Sequence, residues 1–430
     1  SVQALTLNGP AYEDNLLIEN GSTLQLGPTN NLRLQFGTTA NQRGNISGNL
    51  IIISTSAYNF FQTTNVATTI VTINSGGAII NRRQTTGITG SAPTLVFASG
   101  ARFVDEYTGN VTIPTATWDA NSTIDISSGT GTKTFQTATY GNLIVNSSGN
   151  ITTSGAPTIS GLLTLTSGTL VIASNVTLTG NISPSGTGRF GGAPTTGIFN
   201  IAGSGDLGSD LRIASGGRFY SLTINRPSAN IILDGALNIG STATAGVLTL
   251  TNGVINTTSA NRIRLINTTA GAIVGGNENS YINGSLERTF GTSISVGTYT
   301  FPVGKTSYNE FAMIVGAATA ATSGTVVQVE AFDEVAGGSA GTGFDVSPTP
   351  AKYWQASFAA GSITTQNTIS VRLTDAGMTL TDANAIGHST TASGKTGTYN
   401  NLGGINVNSP SNGNITSMVP ISNTLGFFKI

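Results

Sequence analysis

Cysteine is absent from the 430 residues. Disulfide staples, cysteine-ligated metals and thiol nucleophiles are therefore excluded, and the redox compartment stays open. Histidine occurs once, at His388. No His-based metal cluster can assemble, and any Ser-His-acid triad would have to use that one ring. It falls in the turn-like run Ala385-Ile-Gly-His-Ser-Thr390, where a surface-loop position is expected. Charge is scarce too, at 9% of residues with a net charge of −1, against roughly 25% charged in an ordinary domain. With no basic stripe, neither nucleic acid nor an anionic membrane is an expected partner. No apolar run reaches the ~18 residues of a membrane-spanning helix. Nor does any window hold apolar residues at three-to-four spacing over a dozen positions, so no long helix is expected. The chain opens at Ser1 without a charged-then-apolar leader; the expectation is a mature product whose export signal has been removed.

What fills the chain is Gly, 56 residues of it, with Thr, Ser and Asn at polar positions and Ile, Val and Leu recurring throughout. Residues 161–183, GLLTLTSGTLVIASNVTLTGNIS, set the pattern. The apolar pairs Leu163/Leu165, Leu170/Ile172 and Val176/Leu178 each have a spacing of two, which turns both members to one face of a strand. Ser167-Gly168 and Ala173-Ser174-Asn175 separate them with residues that let a chain bend. Three short strands in about twenty residues is the spacing of one coil of a parallel β-helix, which buries its inner face by stacking on the next coil.

The phrase recurs, at Leu24/Leu26, Leu50-Ile51-Ile52-Ile53, Val71/Ile73, Leu95/Phe97 and Ile124/Ile126 among others. A longer echo is present as well. Asn142-Leu-Ile-Val-Asn146 is answered by Ser221-Leu-Thr-Ile-Asn225, and Leu162-Leu-Thr-Leu-Thr-Ser-Gly168 by Val247-Leu-Thr-Leu-Thr-Asn-Gly253. Two phrases returning in the same order point to internal duplication. From about Thr289 the strands lengthen and gather aromatics, as in Tyr299–Val303, Tyr353–Phe358 and Leu425–Ile430. The expected fold is all-β: a parallel β-helix (solenoid) over 1–289, then an antiparallel β-sandwich domain over 290–430 that caps the last coil.

LTLTSGTLVI, LTLTNGVINT, YINGSLERTF, GTYTFPVGKTSYNEF, YWQAS, VRLTDAG and the closing NTLGFFKI resemble phrases of the large secreted repeat proteins and adhesin-like surface proteins of gliding, Bacteroidota-type bacteria. The resemblance implies export by the type IX route and a place at the cell surface. It carries strand-and-turn phrases only, and so implies no catalytic residue.

Motifs that could carry chemistry have plainer readings. Gly186–Gly191 and Gly203–Gly208 both match G-x-G-x-x-G, yet neither is followed by the helical pattern that a dinucleotide loop needs. Ala340-Gly-Thr-Gly-Phe-Asp345 approaches a calcium-binding nonapeptide, but as one imperfect copy it reads as a glycine turn. A polysaccharide-cutting β-helix needs carboxylates gathered on adjacent coils. Asp119 and Asp125 are not one coil apart, and Asp105 and Glu106 would face opposite ways on a strand.

The expectation is thus a non-catalytic, extracellular structural or adhesive protein with no cofactor and no metal. Its expected partner is itself, end to end, through terminal strands carrying Val2, Ala4, Leu5 and Leu7 at one end and Leu425, Phe427, Phe428 and Ile430 at the other. A glycan-binding module is the alternative, with Trp118 and Tyr107 as stacking candidates; a polysaccharide-degrading β-helix is the third.

Overall fold

A computed structural model describes residues 3–6, 16–27, 32–36, 41–53, 60–63, 68–82, 88–128, 130–345, 351–364, 369–376, 380–381, 383–408, 412–421 and 424–430. The fold is all-β, 55% strand and 1% helical, and contains a parallel β-solenoid of about 11 turns. Its one described helix is the 3-10 turn Ala270–Ala272. The chain divides into two compact units, Ser1–Gly203 with Leu207–Ala214, and Ser204–Asp206 with Ser215–Ile430.

Among the described residues of the first unit every strand ladder is parallel, and the apolar alternation sets the register. One inward ladder runs Leu24, Leu50, Ile79, Phe103, Ile124, Leu143, Leu163, Ile182, each paired with the next. A second runs Ile18, Ile46, Ile73, Phe97, Trp118 on another face of the coil. Stacking like on like rests each side chain on its counterpart and buries all of these but Leu24 and Trp118, which stay half-buried, at roughly 1.5–3 kcal/mol per fully buried aliphatic residue. Coil length varies along this ladder, between 29 residues from Leu50 to Ile79 and 19 from Ile124 to Leu143.

The stretch 161–183 places all six of its apolar pair members inside. Its first two phrases, however, are fused in one strand, Leu162–Val171, with the bend carried inside it. Gly168 sits there at φ +76°, and a Cβ would meet the Ser147 carbonyl oxygen at 2.6 Å, so the corner demands glycine. The echoed phrases prove to be stacking partners. Leu143 and Val145 pair with Leu163 and Leu165, followed by a register shift. In the second unit Leu222 and Ile224 pair with Leu248 and Leu250, followed by the same kind of shift. Asn146 accepts from Ser167 Oγ at 2.9 Å, and Asn225 accepts from Asn252 Nδ2 at 2.8 Å. The duplicated piece is therefore a pair of coils with its own corner, a phrase pair that builds the same local structure twice.

Within the second unit, pairing changes sense at Leu286–Phe290. That strand is parallel to Ile263–Leu265 on one side and antiparallel to Thr325–Phe332 on the other. The same change occurs at Gly297–Gly304, parallel to Ile282–Asn283 and antiparallel to Tyr308–Val315. From there the strands continue antiparallel in two sheets. One passes through Tyr308–Val315, Ile369–Ala376 and Asn412–Thr416; the other passes through Thr325–Phe332, Tyr353–Ala360, Gly426–Lys429 and Gly387–Thr390.

Candidate functional site

Polar residues interrupt the inward ladders at a few places. The ladder Leu26, Ile52, Asn81, Asp105, Ile126, Val145, Leu165 carries two such residues in succession. Asp105 faces in and Glu106 faces out to Arg82, the alternation expected of a strand. Asp105 accepts from Asn81 Nδ2 at 3.0 Å and from the Tyr107 amide at 3.3 Å. Lys133 reaches it at 2.7 Å, and both side chains are 0% exposed. The ammonium also donates to the carbonyls of Tyr107 and Gly109 at 3.2 and 2.8 Å. Burial raises the Asp105 carboxyl above its usual value, with Lys133 pulling the other way. Every partner is part of the coil wall, so the pair fastens the turn after residue 105 to the coil that follows.

The second unit repeats the device with the sign reversed. Its ladder Ile239, Leu265, Arg288 ends on a buried guanidinium. Arg288 donates to the carbonyls of Thr300, Thr269 and Ala270 at 3.0, 2.6 and 3.0 Å and lies 5.1 Å from the Tyr299 ring centre. Burial pushes it down to about 10. The outward neighbour Glu287 is held by Arg262 at 2.7 Å and Arg264 at 2.5 Å. In the first unit Arg212 likewise gives its donors to the carbonyls of Gly186, Ser183 and Ser185. The first glycine motif thus supplies a turn with its carbonyl, not a phosphate cradle.

The residues singled out from sequence fall as follows. Val2 and Leu7 lie outside the described residues. Ala4 and Leu5 belong to the strand Gln3–Thr6, which pairs with Leu32–Phe36. The C-terminal assignment needs correcting. Gly426–Lys429 is paired on one side with Tyr353–Ala360 and on the other with Gly387–Thr390. Leu425, Phe427, Phe428 and Ile430 are buried, so this segment offers no open edge; its apolar character comes from its central place in a sheet. His388 also differs from expectation. It lies on the strand Gly387–Thr390, 5% exposed, stacked 4.7 Å from the Phe428 ring. Burial pushes its pKa down to about 4.

Trp118 occupies the inner ladder, stacked flat on Phe97 at 4.1 Å and 5.3 Å from Tyr140. Tyr107 gives its backbone to the Asp105–Lys133 cluster. Both side chains remain half-buried, and no ring contact joins them among the described residues. In the nonapeptide-like segment, Phe344 packs on Tyr399 and the Gly343 carbonyl accepts from Asn401, as a structural turn would. No cluster of three or more metal-ligating residues occurs among the described residues.

Two features were missed. A polar groove of about 440 Å³ is lined by Ser228, Asn230, Asn252, Glu278 and Asn279 among others. Lys352, Asn309 and Asp375 converge in the second unit. No sequence signal joins the latter three, because separations of 43 and 23 residues from Lys352 acquire meaning only once the antiparallel register is known. Comparison with protein-family models, with curated proteins and with solved structures finds no match.

Proposed function

We propose that the protein is a non-catalytic structural or adhesive element of the cell surface that associates with copies of itself by strand addition. The observation that carries this is the state of the first described coil. Its strands Gln3–Thr6, Leu16–Ile18 and Thr23–Leu26 each end a sheet, paired on one side only among the described residues. Leu17 is 57% exposed there, beside a groove of about 460 Å³ lined by Leu16, Ile18 and Leu24. One-sided strands with apolar neighbours are templates for a further strand. The buried ionisable groups support the scaffold half of the reading, since Asp105, Lys133, Arg212 and Arg288 are spent on carbonyls and on each other. A hydroxyl- and amide-rich surface of low charge supports a place outside the cell, as does the resemblance to secreted repeat proteins.

In the same reading the antiparallel strands after Leu286 form a two-sheet sandwich. Contacts between strands of the two sheets support it: Trp354 Nε1 donates to the Asn309 carbonyl at 3.1 Å, and Phe311 meets Phe428 at 5.3 Å. Sedimentation over a range of concentrations tests the association. Wild type is expected to form higher species that Leu17→Lys abolishes, because a charge at a sheet edge opposes strand addition. Wild type remaining monomeric at high concentration would remove the proposal. Glycan binding is the second reading, favoured by the amide-lined groove at Asn230 and Asn252; a glycan array reports on it. Incubation with acidic polysaccharides, with and without calcium, reports on a degrading activity.

A further inference from the structure

The strand Tyr308–Val315 carries Asn309, the strand Ile369–Ala376 carries Asp375, and Lys352 immediately precedes the strand Tyr353–Ala360 of the other sheet. Phe311 pairs with Leu373, so Asn309 and Asp375, two residues further along each strand, share a face. The Lys352 ammonium is brought to that face. Its Nζ lies 2.6 Å from Asp375 Oδ1, 3.3 Å from Asn309 Oδ1 and 3.2 Å from Ser307 Oγ. Asn309 is buried and fixed twice, its side-chain Nδ2 donating to the Ser307 carbonyl at 3.2 Å and its backbone carbonyl accepting from Trp354 Nε1. The Asp375 side chain is 8% exposed and that of Lys352 25%.

An amine, a carboxamide and a carboxylate are thus held together beside a buried indole. The geometry points to an intramolecular amide bond between Lys352 Nζ and Asn309 Cγ, formed by the protein on itself with Asp375 as the proton carrier. Cγ is one carbonyl bond, about 1.23 Å, from the oxygen that Nζ already contacts. Nucleophile and electrophile therefore need only a small shift to reach the ~3–3.5 Å of an attack geometry. Asp375 takes a proton from the ammonium, and the freed lone pair makes the Nζ–Cγ bond. Asp375 then passes its proton to Nδ2 and accepts one from Nζ as the Cγ–Nδ2 bond breaks. The ammonia leaves by the exposed side of Lys352 and carries the last proton away as ammonium. No oxidant or co-reactant is required. Burial raises the Asp375 carboxyl, opposed by Lys352, which suits a group that must hold a proton in mid-reaction. Lys133 makes a contrast: there a carboxylate and two backbone carbonyls, not a side-chain amide carbonyl, saturate the amine. One bond is expected, and its product is a covalent tie between strands of two sheets. This inference stands apart from the association proposed above.

Intact-mass spectrometry of the purified full chain tests it. The expected mass falls short of the sequence mass by one ammonia, about 17 Da. Digestion is expected to yield a branched peptide joining Lys352 to Asn309, uncut by trypsin after Lys352. Lys352→Arg, which keeps the charge beside Asp375, is expected to restore the full mass, and Asp375→Asn to leave most of the chain at full mass. Folded wild type at full sequence mass would overturn the inference. So would a deficit that persists in Lys352→Arg, the mark of a succinimide at an Asn-Gly step such as Asn252-Gly253, or a peptide joining Lys352 to Asp375 with loss of water.

Discussion

Replacing Lys133 with Met removes one charge from a place that water does not reach. Lys133 and Asp105 are both fully buried and 2.7 Å apart. The methionine fills similar volume, so the cost is electrostatic rather than a cavity. Asp105 keeps Asn81 and the Tyr107 amide, but the carbonyls of Tyr107 and Gly109 lose their donor. Breaking a buried pair from one side costs about 3–5 kcal/mol. Removing both charges, in Asp105→Leu with Lys133→Met, is expected to be near neutral or stabilising, because desolvation of the two ions disappears with their attraction. Urea denaturation followed by circular dichroism reads both. Acidity supplies a signed check. Burial raises Asp105 above its ordinary 3.8 in the folded chain, and Lys133 opposes this most strongly, ahead of the Tyr107 amide and Asn81. A raised carboxyl favours the folded state when protonated, so its contribution is present below that ordinary value and is lost as pH rises through the folded value. Without Lys133 that window widens upward, so the penalty of Lys133→Met is expected to shrink on acidification. A single variant within ~1 kcal/mol of wild type at pH 7 would refute the reasoning, since an orphaned buried carboxylate cannot be that cheap.

Leu165→Asp is expected to unfold its coil by placing an unpaired charge in the inward ladder, whereas Thr164→Asp, one residue away on the outer face, is expected to be tolerated; thermal melts showing equal loss would contradict the register. Gly168→Ala is expected to cost more than the ~1 kcal/mol of an unstrained exchange, since φ is +76° and the Ser147 carbonyl blocks the added carbon, and chemical denaturation measures it. His388 is held at about 4, below its ordinary 6.5. Its neutral form therefore stabilises the fold above pH 6.5, and that stability is lost as pH falls towards 4. His388→Phe is expected to flatten the melting-temperature profile across that window.

The inward residues of the solenoid were legible because spacing of two is a local property: Leu163, Leu165, Leu170, Ile172, Val176 and Leu178 announce their face without knowledge of any partner. The echo of 142–146 and 162–168 in 221–225 and 247–253 was legible for the same reason. Other features depend on which distant segment lies alongside. Nothing near Asp105 says that Lys133 will meet it inside the wall; alternation puts Asp105 and Glu106 on opposite faces, but only the ladder says which of the two faces in. Leu425–Ile430 looked like a terminal edge because its two neighbours, Tyr353–Ala360 and Gly387–Thr390, come from elsewhere in the chain. His388 looked like a loop residue because Gly387 and Ser389 flank it, yet Phe428 covers it. Trp118 in Ala116-Thr-Trp-Asp-Ala gives no clear sign of burial, and only the register with Phe97 turns it towards the inner ladder.

The absence of cysteine makes the parallel stacking of coils directly measurable. Ile144 and Thr164 are register partners on adjacent coils, with Cα atoms expected about 4.8 Å apart, inside the range a disulfide can span. Ile144→Cys with Thr164→Cys is expected to form an intramolecular disulfide on mild oxidation. Ile144→Cys with Thr166→Cys, shifted two residues along the strand, is not. Equal bridging of both pairs, or bridging of the shifted pair alone, would contradict the stacking on which every ladder described above depends.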